Sequence, residues 1–171
     1  MIYLIGPGGA GKTTIGAALA EKLALSFVDL DALFSHRHGD ISAYLDEHGY
    51  EHYAERNVGL FSEHAGEWNA VVVALSSGFM TYRDDIHPDY VGWRQRIASN
   101  HSTFVLLPSL DVEICVAEIV RRQLGRHFAR SAEREEQVIR NRFRIYSSLP
   151  ARKVVTMRPI SEVVAELAGG T

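Results

Sequence analysis

The sequence predicts one α/β domain, a three-layer α/β/α sandwich around a five-stranded parallel sheet. Short β-rich runs at residues 2–5, 26–29, 70–75, 103–107 and 153–157 alternate with helical runs at 12–25, 50–65, 89–99, 111–124, 132–148 and 160–168. The first, third and fourth of the short runs are almost continuously apolar, as strands covered by helices on both faces are. The chain has 171 residues, 46% hydrophobic and 23% charged, which fills one core and leaves little for a second. Strict alternation implies right-handed crossovers, and ligands of such sheets gather where loops leave the carboxyl ends of the strands.

Taken in order, the apolar strand at 2–5 runs into Gly6-Pro7-Gly8-Gly9-Ala10-Gly11-Lys12-Thr13, and a helix follows at once. This is G-x-x-x-x-G-K-[ST] in the context that gives it meaning. The glycines let successive backbone N–H groups turn inward around phosphates, and the helix N-terminus adds partial positive charge. Lys12 is placed to bridge the β- and γ-phosphates, and the Thr13 hydroxyl to meet Mg²⁺. The predicted nucleotide set is Gly8, Gly9, Ala10, Gly11, Lys12, Thr13 and Thr14, with ATP and Mg²⁺ as the implied cofactors.

The second strand ends in Asp29-Leu30-Asp31, at the same carboxyl edge. In an extended chain this spacing turns both carboxylates to one side. A helix N-cap would explain one aspartate but not both. The segment at about 32–66 is read as the helical wall of an acceptor site, with its main helix starting at Tyr50. After the third strand, residues 77–88 are least able to form regular structure, as are residues 124–131 between the fourth and fifth helices. The latter stretch reads as a short lid.

Together these features resemble the shikimate kinase family, within the nucleoside-monophosphate-kinase-like P-loop proteins. The resemblance covers nearly the whole chain. It rests on the cradle, the Asp29-x-Asp31 pair, Gly49 to Tyr53 at a helix start, the loop Ser76-Ser77-Gly78, an arginine lid, and Arg142 followed by Tyr146. The resemblance implies a kinase that moves the γ-phosphate of ATP to a hydroxyl of a small metabolite. It implies catalytic roles for Lys12, Asp31 and Arg126, and metal binding by Thr13 and Asp29, the latter through water. Arg122 and Pro159 would sandwich adenine, Arg126 would close over the phosphates, and Asp31, Tyr53, Ala54, Ser77, Gly78 and Arg142 would line the acceptor site.

Where the family carries Gly-Glu-x-x-Phe-Arg-x-x-Glu, this chain has Gly49-Tyr50-Glu51-His52-Tyr53-Ala54-Glu55-Arg56-Asn57. The family's carboxylate-gripping arginine is thus Ala54, its orienting glutamate Asn57, and its glycine triplet Ser76-Ser77-Gly78. His127 follows the lid arginine where proline is usual. Tyr50, Ala54 and Asn57, at i, i+4 and i+7, are expected to face the acceptor together. Shikimate is therefore expected to be a poor acceptor, with Arg142 remaining as one anion contact, unless Arg83 or Arg94 supplies a second cation. Other functions considered are a gluconate-type or antibiotic phosphotransferase, and a catalytically weak nucleotide-binding regulator.

Composition points away from other partners. A net charge of −3 does not favour nucleic acid, although eight arginines fall between Arg121 and Arg144. Histidines at 36, 38, 48, 52, 64 and 87 share no ligand spacing with cysteine or carboxylate partners. The single cysteine, Cys115, lies in an apolar helical run and is expected to be buried. No apolar stretch is long enough for a bilayer, and the expectation is a cytoplasmic monomer without membrane contact.

Overall fold

A computed structural model of the chain describes residues 1–123 and 132–170. The expected lid at 124–131, with Arg126 and His127, lies outside the described residues. Five parallel strands, β1 (Ile2–Ile5), β2 (Ser26–Asp29), β3 (Val71–Ala74), β4 (Thr103–Leu107) and β5 (Arg152–Val155), form one sheet in the order β2-β3-β1-β4-β5. The predicted α/β/α sandwich is thus the observed fold.

The apolar runs have the expected cause. Ile2 and Leu4 of β1 pack with Phe104, Leu106 and Val154 beneath two helices, α1 (Lys12–Leu23) and α7 (Ile160–Ala168). The alternate residues Tyr3 and Ile5 pack with Val71, Val73, Val105 and Leu107 on the opposite face. That face is covered by α2 (Leu30–His38), α3 (Ile41–Ala65), α4 (Tyr90–Ser99), α5 (Val112–Gln123) and α6 (Ala132–Ser148). Each interior strand therefore buries both faces, and no polar alternation is left to read. Cys115 is fully buried, and burial raises its thiol pKa.

Element ends depart from expectation by a residue or two, with local reasons. Helix α1 stops at Leu23 because Ala24 takes a left-handed φ of 53°, and Leu25 N–H then donates to the Ala20 carbonyl. Strand β3 begins after Ala70, another residue with positive φ. The larger correction concerns the segment after β2. The sequence pattern does not resolve α2, and α3 begins at Ile41 rather than Tyr50. Gly49, at φ 81° and ψ 169°, is not helical, so α3 is two helical stretches joined across a kink. Only glycine enters that conformation at little cost, and the second stretch starts directly after it, where the sequence placed a helix start; the helical residues 41–48 before it are the addition.

Parallel register sets the site. Asp29 pairs with Ala74 and Leu4 pairs with Ala74, while Leu75 N–H donates to the Leu4 carbonyl. The loops after β1, β2 and β3 consequently leave the sheet side by side, where neighbours diverge in chain direction.

Candidate active site

The loop after β1 wraps residues 6–11 and delivers Lys12 as the first residue of α1. Lys12 is 8% exposed, and its ammonium donates to the Gly6 carbonyl at 2.8 Å and the Pro7 carbonyl at 3.1 Å. Burial is the main cause lowering its pKa to about 8; Asp31 opposes this, Arg142 reinforces it, and Asp29 opposes it. These couplings place one lysine, one arginine and two aspartates in a common field.

Asp29 and Asp31 do not extend from one strand as the spacing suggested. Asp29 ends β2 and is the N-cap of α2, its Oδ1 accepting from the backbone N–H of Asp31 at 2.9 Å and of Ala32 at 3.2 Å. Its other oxygen, Oδ2, accepts from the Thr13 hydroxyl at 2.6 Å. The cap and the contact with Thr13 therefore coexist on one residue, using different oxygens. A carboxylate beside a hydroxyl at the cradle is the hard oxygen set that Mg²⁺ prefers, completed by water and phosphate. Asp29→Ala is expected to lose about 0.5–2 kcal/mol of stability with its cap. Asp29→Asn should keep the melting temperature while raising the Mg²⁺ needed for half-maximal turnover; equal melting losses in both variants would contradict the divided role.

Asp31 sits in the first turn of α2. Its Oδ1 accepts two hydroxyls, from Ser76 at 2.5 Å and Tyr53 at 3.2 Å. Ser76 in turn accepts from Asn57 Nδ2 at 3.0 Å, and Asn57 Oδ1 accepts from Tyr82 at 3.2 Å. Burial pushes the Tyr53 phenol up, with the Asp31 charge adding to it, and burial pushes Tyr82 well up as well. Both phenols are therefore proton donors at ordinary pH.

On the other side of the same loop, Arg142 of α6 donates to the Ser77 hydroxyl at 3.0 Å and lies 3.5 Å from the Tyr50 hydroxyl. Tyr146 of α6 donates to the Ser77 carbonyl at 3.1 Å. Gly78 closes this corner: a Cβ there would stand 2.5 Å from the Tyr50 hydroxyl and 3.2 Å from the Arg142 guanidinium. A larger residue here would push the Tyr50 and Arg142 side-chain ends out of this corner.

Of the face expected on α3, Tyr50 is 42% exposed, Ala54 is enclosed in the core cluster, and Asn57 uses both ends of its carboxamide internally. Arg83 is paired with Glu51 and Asp85, each at 2.7 Å, and Arg94 with Asp84 at 2.6 Å. Both guanidiniums are thus engaged by carboxylates. On the nucleotide side, Arg122 of α5 donates to the Gly9 carbonyl at 3.0 Å and pairs with Glu118, whose carboxyl is lowered to about 2 chiefly by its bond to Arg121. Pro159 is exposed and forms the N-cap of α7. Arg140 is held by Glu113 and Glu136, so much of the arginine-rich stretch is spent on carboxylates.

Sequence reasoning treated Ser76 and Asn57 as losses from a pattern and did not foresee their joint engagement of Asp31. The available signal was the paired arrival of two small hydrogen-bonding side chains where charge and glycine were expected. Two surface depressions of about 400 and 380 Å³ lie along α3 and share Glu55, but neither includes a cradle residue. Among the described residues, no three of His, Cys, Asp or Glu are grouped to hold a metal ion, and no helix is long and apolar enough to cross a membrane.

A family model described as shikimate kinase matches residues 8–168. A shikimate kinase of Francisella philomiragia is 30% identical over 171 residues, spanning 99% of this chain and 86% of that protein. Among solved structures, shikimate kinase from Acinetobacter baumannii in complex with shikimate aligns with TM-score 0.74 at 24% identity, covering 97% of this chain and 89% of that one. A gluconokinase from Sinorhizobium meliloti aligns with TM-score 0.61 at 18% identity, covering 99% and 89%.

Proposed function

Because this chain belongs to the shikimate kinase family, and is thereby an ATP-dependent phosphotransferase acting on a hydroxyl, we propose that its acceptor is a small hydroxylated metabolite held between Asp31 and Arg142. One observation carries this reading. Ser76 and Ser77, consecutive in the chain, hold Asp31 and Arg142 respectively. Consecutive Cα atoms are about 3.8 Å apart, so a hydroxyl acceptor and a guanidinium are fixed across the span of one small molecule.

Phosphoryl transfer asks for positioning and charge neutralisation more than covalent chemistry. Bound at the cradle by Thr13 and Asp29, Mg²⁺ would supply neutralisation of the phosphate oxygens. Lys12, now donating to the Gly6 and Pro7 carbonyls, would turn its ammonium to the β- and γ-phosphates. Asp31 accepts the attacking hydroxyl's hydrogen bond, and Arg142 receives an anionic group of the same acceptor. Arg122 and Pro159 would flank the adenine, and the role of Arg126 toward the phosphates, outside the described residues, comes from the family resemblance alone.

With Ala54 uncharged and Arg83 and Arg94 engaged by carboxylates, Arg142 is the arginine that among the described residues is offered to the acceptor anion. Losing one charge-assisted contact to a carboxylate costs about 2–5 kcal/mol. Shikimate is therefore expected to be a poor acceptor. The test is kcat/KM measured with Mg-ATP across shikimate, quinate, gluconate and myo-inositol. Higher efficiency on another member supports the reading, and shikimate as the preferred substrate at full efficiency overturns it.

A further inference from the structure

Five side chains form one hydrogen-bonded line between the interior and the acceptor edge: Tyr82, Asn57, Ser76, Asp31 and Tyr53. Asn57 is 0% exposed, Ser76 2% and Tyr82 5%, so the inner end of this line has no access to water. Its polarity is forced. An ionised carboxylate only accepts, so the Ser76 hydroxyl must spend its proton on Asp31. Ser76 then has lone pairs alone to offer Asn57, which must present its NH₂ to Ser76 and its oxygen to Tyr82. Turning the Asn57 carboxamide over would set its oxygen against the Ser76 hydroxyl in competition with Asp31, and a buried polar atom left unsatisfied costs far more than an ordinary hydrogen bond contributes.

We propose that Asn57 is a positioning residue for phosphoryl transfer: anchored by Tyr82, it aims the Ser76 hydroxyl at Asp31 Oδ1 and so leaves Oδ2 as the oxygen that receives the acceptor hydroxyl. Tyr53 completes the restraint by donating to the same Oδ1. Two donors on one oxygen fix the carboxylate's torsion, because rotation would break both bonds together. The buried carboxamide suits this task because it both donates and accepts. An aspartate at 57 could accept from Tyr82 but not donate to Ser76, and an alkyl side chain could do neither. The line runs from the core to the reacting edge, and the residues that carry it lie on α3, the loop after β3, and α2.

This inference rests on the reading that Asp31 receives the acceptor hydroxyl, and the experiment separates the two. Ser76→Ala, Tyr82→Phe and Asn57→Leu are made in the natural chain and again in the Asp31→Asn background. Transfer from Mg-ATP is followed with whichever of the four acceptors gives the highest kcat/KM. In the natural background, Ser76→Ala and Asn57→Leu should each lower kcat roughly ten- to hundredfold, the range for a hydrogen bond to a charged group. Tyr82→Phe should lower it less, and KM for ATP should move by less than about twofold in all three, as expected when only a transition-state interaction is lost. In the Asp31→Asn background, single-turnover rates should fall no further, since groups acting as a unit are not additive.

Ser76→Ala and Tyr82→Phe each delete only a hydroxyl, so they remain informative if Asn57→Leu fails to fold. Wild-type kcat in Ser76→Ala would overturn the proposal. So would losses that multiply with Asp31→Asn, or parallel changes in kcat and ATP KM, since these indicate a general structural role. If Asp31→Asn alone left transfer intact, the reading of Asp31 would fall first.

Discussion

Lys12→Ala is expected to reduce phosphoryl transfer about a thousandfold or more. The ammonium at the head of α1 is the cation proposed to meet the nucleotide's terminal phosphates, where charge accumulates as the phosphoryl group moves. Preorganised groups aimed at such charge typically account for about 10²- to 10³-fold each, and a cation on the transferring group for more. The same lysine gives a pH signature. Its pKa in the free protein is lowered to about 8, mainly by burial. Bound phosphates favour the ammonium, so above pH 8 nucleotide binding must take up a proton. Affinity for a non-hydrolysable ATP analogue should therefore be flat below pH 8 and decline above it, by at most about tenfold per pH unit. Lys12→Ala should bind more weakly and show no such decline. Near-normal turnover in the variant, or the same pH dependence with and without the lysine, would contradict the role given to it.

Asp31→Asn is the second large effect, expected at about 10²- to 10⁴-fold in kcat with nucleotide affinity nearly unchanged. The reason is geometric as well as electrostatic. Ser76 and Tyr53 both donate to Oδ1. An asparagine satisfies them only by placing its single oxygen there, which turns its NH₂ toward the acceptor. The incoming hydroxyl would then meet a donor where it needs an acceptor. Titration calorimetry with the ATP analogue and steady-state kinetics separate the two quantities. A collapse of nucleotide affinity with the transfer step preserved would exchange the roles of Asp31 and Asp29.

The sheet was legible in the sequence because its central strands bury both faces, leaving short, almost continuously apolar runs such as residues 103–107. The cradle was legible because its residues are contiguous. Less legible was α2. Only Leu30 and Phe34 of its nine residues are buried, and a run of His and Arg follows them, so the amphipathic signal barely rises above its surroundings. The Gly39-Asp40 break that separates α2 from α3 was present in the sequence, with Asp40 capping the Ala43 N–H. Position 57 illustrates a different difficulty. Compared with a charged residue at the same place, asparagine reads as a loss; its meaning depends on Ser76, 19 residues away, and on Tyr82, 25 residues away. Helical periodicity correctly placed Ala54 and Asn57 on one side of α3, but could not show that this side faces the interior as much as the acceptor.

Asp29 leaves a mark on what changes this chain can tolerate. One oxygen holds the start of α2 and the other holds Thr13, so selection for folding and selection for chemistry act on the same codon but accept different replacements. Asn, Ser and Thr satisfy the helix end and would fail the cation proposed at this position; Glu keeps the charge but carries its carboxylate one methylene past the N–H groups that need it. A lineage that lost the reaction would therefore be free to drift at Lys12 while remaining confined to capping residues at position 29. Loss of activity in this fold would be recorded at the lysine before it was recorded at the aspartate.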